Sequence, residues 1–97
     1  MKEVVFDFEE FKERVNMEKP LHYTVMYRNP DGCGAFYYVK LHIFGVSKQG
    51  HIIVFETEQK LNTLTEPKPI EIVRKTADKL VETYAKPLNA TPGRWEE

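Results

Sequence analysis

The sequence predicts an α+β domain of α-β-β-β-α order, a three-stranded antiparallel meander with two helices on one face. Apolar residues recur at helical spacing near both ends, the centre switches to a period of two, and Gly- or Pro-containing reversals punctuate that central stretch. The 97 residues suffice for one hydrophobic core, so residues 1–97 are expected to form a single domain.

A first helix is expected over about residues 7–19. Asp7 is placed to cap it and Glu10 to reach back; Phe8, Phe11 and Val15 form its apolar stripe, and Pro20 ends it. The preceding Val4-Val5-Phe6 reads as a short edge strand or an apolar lead-in.

Strands follow over about 21–28, 35–46 and 51–58. The first two are joined by Asn29-Pro30-Asp31-Gly32-Cys33-Gly34 and the last two by Ser47-Lys48-Gln49-Gly50. Residues 59–68 read as a loop, and Pro69 opens a second helix over about 69–86. Its stripe is Ile70, Val73, Ala77, Leu80, Val81 and Tyr84, while Glu71 with Lys75 and Arg74 with Asp78 are spaced for i,i+4 pairs. Pro87 is expected to end it, leaving 87–97 as a tail that holds the only tryptophan, Trp95.

Hairpin register is tested by whether like residues share a face, because a one-residue slip reverses every side chain. Pairing Arg28 with Phe36 sets Leu21 opposite Ile43, Tyr23 opposite Leu41, Val25 opposite Val39 and Tyr27 opposite Tyr37. A three-residue Lys48-Gln49-Gly50 loop pairs Ser47 with His51, which aligns Lys40 with Glu58 and His42 with Glu56. These registers define a core face containing Val39, Leu41, Ile43, Ile53 and Phe55, to be covered by both helices.

The second face is mixed. Phe36, Tyr38, Phe44, Val46, Ile52 and Val54 are expected to gather at one end of it as an interaction surface. Covering all six would contribute about 9–18 kcal/mol as an upper bound, which rivals the stability of a small domain. The expected partner is a second copy of the chain, another protein, or the chain's own tail through Leu88 and Trp95.

On the same face His22, His42 and Glu56 are expected in one row, in the pattern of a two-histidine, one-carboxylate metal site. A plain cross-strand charge pair of histidine and glutamate beside Lys40–Glu58 accounts for the same residues, and no metal is expected. Cys33 at the hairpin tip has no base aimed at it, and Gly32-Cys33-Gly34 lacks the third glycine and the strand–helix context of a dinucleotide loop. Asn89-Ala90-Thr91 matches a glycosylation acceptor by chance spacing. With no convergent acid/base pair and no phosphate loop, neither catalysis nor a cofactor is expected.

The order helix, three antiparallel strands, helix resembles that of double-stranded RNA-binding domains over most of residues 7–86. That resemblance implies a basic start to the second helix, met here by Lys68, Arg74, Lys75 and Lys79 but interrupted by Glu71 and Asp78. The net charge of −1 leaves the phosphate attraction of such binding small, so nucleic acid is not the expected partner. No apolar run is long enough to span a bilayer, the N-terminal apolar stretch is three residues, and the single cysteine fits a reducing compartment, so the cytoplasm is expected. Twelve glutamates against three aspartates, with ten lysines and two glutamines, follow a hyperthermophile pattern.

Overall fold

The computed structural model describes residues 4–30 and 35–93. In chain order it contains β1 (Val4–Phe6), α1 (Phe8–Arg14), β2 (His22–Arg28), β3 (Phe36–Val46), β4 (Ile52–Asn62), α2 (Pro69–Leu80) and β5 (Thr91–Pro92). The sheet order is β1-β4-β3-β2-β5. The antiparallel meander β2-β3-β4 forms its centre, and a short parallel strand flanks each side, β1 on β4 and β5 on β2.

Asp7 caps α1 as its residue type predicts, its carboxylate accepting the Glu10 N–H at 2.9 Å. The helix stops at Arg14, well short of Pro20, because the chain docks at once onto the β3–β4 turn. Val15 is already extended and bridges to Ser47, Asn16 donates its N–H to the Val46 carbonyl, and Lys48 donates to the Arg14 carbonyl. The Asn16 side chain then accepts the Glu18 N–H, a local turn that competes with helix.

The β3–β4 hairpin has the expected register, with Val46 opposite Ile52, His42 opposite Glu56 and Lys40 opposite Glu58. Buried Ser47 holds the turn together: its hydroxyl accepts the N–H groups of Gln49 and His51, and Gly50 takes the left-handed conformation at φ 87°. β4 does not end near Glu58 but runs to Asn62, pairing Gln59 to Asn62 with Val39 to Phe36. Backbone bonds carry this extension while its polar side chains face water.

The β2–β3 register differs from the expected one by two residues. Arg28 pairs with Tyr38, so Tyr23 lies opposite Ile43, Val25 opposite Leu41 and Tyr27 opposite Val39, while Leu21 precedes the strand. An even shift preserves the faces, so apolar matching alone does not discriminate between the two registers. Cys33, expected at the tip of this connection, lies outside the described residues.

α2 begins at Pro69 as expected and continues as one π turn, Val81–Ala85, and a 3-10 turn, Lys86–Leu88. Pro87 fits inside that last turn; the helical path ends instead at Asn89, which is left-handed at φ 55°. Among the ion pairs of the described residues the expected Glu71–Lys75 and Arg74–Asp78 are not found, the pair of this helical region being Lys86–Glu82, and Ile70 is exposed rather than part of the buried stripe. The π turn carries Tyr84 into an aromatic cluster, with ring centroids 5.0 Å from Phe8 and 5.1 Å from Phe55.

Phe11 and Val15 from the first helical region and Val73, Ala77, Leu80, Ala85 and Leu88 from the second pack on Val39, Leu41, Ile43, Ile53 and Phe55. Both helices therefore cover one face of the meander. Residues 88–93 are not a free tail, since Leu88 is buried in this core and β5 adds to the sheet edge, while Trp95 lies outside the described residues. Thr91 and Gly93 donate to the carbonyls of Leu21 and Tyr23, and Pro92, which has no N–H, falls between the two bonds.

Candidate functional site

The face opposite the helices is the candidate site. Period-two alternation sends Phe36, Tyr38, Lys40, His42, Phe44 and Val46 of β3 toward it, and β4 supplies their cross-strand partners. These residues do not form the single apolar cluster that the sequence predicts. Tyr38 and Phe44 are six residues apart on one strand, about 20 Å at ordinary strand rise. The face divides into three bands along the strands.

At the turn end, Phe44 pairs with Val54 and Val46 with Ile52. Ile52 is 52% exposed and Phe44 and Val46 are half-buried, but Val54, on a strand that lies between β1 and β3, is only 1% exposed. Val54 therefore offers no further surface to a partner.

The middle band is ionic. Lys40 and His42 stand on β3, and Glu58 and Glu56 face them from β4. The His42 Nε2 lies 2.7 Å from a Glu56 oxygen, the Lys40 ammonium reaches Glu56 at 3.9 Å and Glu58 at 3.8 Å, and Arg28 reaches Glu58 at 3.7 Å. All of these side chains retain solvent contact, which limits each pair to about 0–1 kcal/mol.

The far band is aromatic and cationic. Lys60 lies 4.4 Å from the Phe36 ring centroid and Arg28 lies 4.5 Å from that of Tyr38, within cation–π range. Exposed Met26 adjoins it on β2, opposite Lys40. This cationic element, invisible to a search for apolar clusters, was encoded in the polar end of β4.

The observed β2–β3 register dismantles the expected metal row. His22 lies opposite Phe44, and Thr24 takes the position beside His42 and Glu56. The His22 Nδ1 instead meets the Thr91 hydroxyl at 3.2 Å. Among the described residues no group of three His, Cys, Asp or Glu side chains is arranged to hold a metal. What remains is the cross-strand His42–Glu56 pair.

The helix face offers less. Lys68, Arg74, Lys75 and Lys79 of the α2 region are exposed but alternate with exposed Glu71 and Asp78. Two open depressions, of about 350 Å³ beside Met17, Pro20, Leu21 and Leu88 and about 290 Å³ beside Tyr23, Asp78 and Lys86, bring together no chemically convergent set. Among the described residues no helix is long and apolar enough to cross a membrane. Set against known protein families, curated proteins and solved structures, the chain matches none.

Proposed function

We propose that this chain is a non-enzymatic interaction module of the cytoplasm that associates with a second copy of itself through the sheet face opposite the helices. The observation that carries this reading is the placement of both helices, and the whole buried core cluster, on the opposite face. Ile52 and Met26 are left 52% and 42% exposed, and Phe36, Tyr38, Phe44 and Val46 are half-buried. These apolar and aromatic side chains stand in two bands, one at each end of that face with the ionic rows between them, and exposed apolar bands rimmed by polar residues mark protein interaction sites. The apolar gain is smaller than the six-residue sum, since Val54 is already covered within the monomer. The lone cysteine supports the compartment.

Sedimentation velocity across a concentration series tests the reading. The expected result is a dimer that Phe44→Glu converts to a monomer of unchanged circular dichroism. A strict monomer at high concentration overturns it. Salt-sensitive retardation of duplex RNA with no effect of Phe44→Glu on mass overturns it in favour of a nucleic-acid module, for which the exposed cations of α2 would be the first residues to substitute.

A further inference from the structure

Resting on that reading of self-association, we infer that the two copies pack face to face about a two-fold axis that runs parallel to the strands, over the seam between β3 and β4. The inference comes from how each row of the hairpin is composed. From the turn outward the rows are Val46–Ile52, Phe44–Val54, His42–Glu56, Lys40–Glu58 and Tyr38–Lys60. In every row an apolar group faces an apolar one, or a donor or cation faces an acceptor or a ring.

A two-fold axis over the seam places β3 of one copy above β4 of the other at the same row. Partnerships made within the hairpin are then repeated between copies: Lys40 meets the second copy's Glu58, His42 its Glu56, and Val46 its exposed Ile52, while Val54, already covered within its own chain, adds no contact. The surface is self-complementary, as an isologous interface requires. Aligned sheets also pack with strand directions within about 30° of each other, which such an axis allows.

The alternative two-fold, lying across the strands, fails on charge and on area. It sets β3 above β3 and β4 above β4: at full overlap, centred on Leu41, Lys40 lies over His42 and Glu58 over Glu56, and when centred on the Phe44 band Lys40 hangs beyond the overlap. At ordinary strand rise and spacing, three strands over the eleven residues of β3 present about 500 Å² per copy, whereas the turn-end band alone presents about 200 Å². Only full overlap approaches even the smaller class of specific interfaces, and it places the pair among weak, reversible dimers.

The test exploits the symmetry. Lys40→Glu alone and Glu58→Lys alone each create like-charge contacts twice across the interface, and each is expected to weaken homodimerisation at least about tenfold. Mixed in equal amounts, the two variants restore opposite charges at both contacts. The mixture is expected to sediment as a heterodimer within about threefold of the wild-type affinity. Circular dichroism verifies that each variant is folded.

Should one unfold, zero-length carbodiimide coupling on a mixture of isotope-labelled and unlabelled wild-type chains supplies the same information. Interchain Lys40–Glu58 links are then expected. Wild-type protein that stays monomeric overturns the self-association itself. A wild-type dimer with neither rescue on mixing nor interchain Lys40–Glu58 links overturns only the seam axis.

Discussion

Gly45 faces Val15 so closely that a Cβ added at the glycine would come within 2.7 Å of the valine Cγ2, with Phe11 and Leu21 atoms at 3.4 and 3.5 Å. The glycine lies on the helix-facing side of β3, where the chain leaving α1 crosses the sheet. A β-branched side chain on one element and no side chain on the other together permit that approach. Gly45→Ala is therefore expected to destabilise the domain by about 1–3 kcal/mol, the cost of overpacking a close contact. Combining it with Val15→Ala removes the obstructing methyl, so the double variant should lose less than the sum of the two single losses. Urea denaturation of the four proteins measures this coupling.

Gly50 presents the opposite case. An added Cβ meets nothing within 4 Å, but the backbone stands at φ 87°. Gly50→Ala should cost about 1 kcal/mol through backbone strain alone, and Gly50→Asn less, because asparagine tolerates the left-handed region. Thermal unfolding distinguishes this from the Gly45 mechanism: no companion substitution in the core should rescue Gly50→Ala.

The Ser47–Gly50 turn also explains why this hairpin was legible in advance. A hydroxyl before the turn and a glycine at its end fix the loop length, and a fixed loop fixes the register. For the β2–β3 pair, both candidate registers place the same apolar residues inward, so the apolar pattern does not choose between them. The core face was therefore readable while the β2 row partners on the second face were not. That error generated the metal row. The ends of α1 and β4 were missed for related reasons: Asn16 and Val15 are diverted by tertiary hydrogen bonds, and Gln59 to Asn62 extend the strand through backbone pairing with no apolar alternation. β5, two residues including a proline, has no periodicity to read.

The His42–Glu56 contact follows as a surface pair rather than a ligand set. A double-mutant cycle with His42→Ala and Glu56→Ala should return a coupling of about 0–1 kcal/mol, in keeping with partly exposed cross-strand pairs. Titration calorimetry with zinc should give no heat that His42→Ala abolishes, because His22 is one row away and engaged with Thr91.

Asp7 provides a local test of the helix start. Its carboxylate accepts the Glu10 N–H in a helix of only seven residues, so few other bonds compensate for its loss. Asp7→Ala should cost about 0.5–2 kcal/mol, and Asp7→Ser should recover most of it, since a hydroxyl accepts the same bond. Chemical denaturation of the two variants, with the midpoint compared at constant slope, measures the difference.

Leu88 and Ile52 separate the two faces energetically. Leu88, beyond the proline expected to end α2, is 6% exposed and lies in the core cluster, whereas Ile52 on the second face is 52% exposed. Leu88→Ala removes buried methyl groups and leaves a void that the short 3-10 turn, held by Asn89 and followed by β5, has little freedom to fill. Its expected cost is about 2–5 kcal/mol at any protein concentration. Ile52→Ala should cost less than about 1 kcal/mol in dilute protein, because much of the side chain already meets water in the monomer. Its loss should grow as concentration rises if dimers form, because stabilisation by association follows mass action. Melting both variants over a concentration series gives the result directly: parallel offsets for Leu88→Ala, and curves that diverge from wild type only at high concentration for Ile52→Ala.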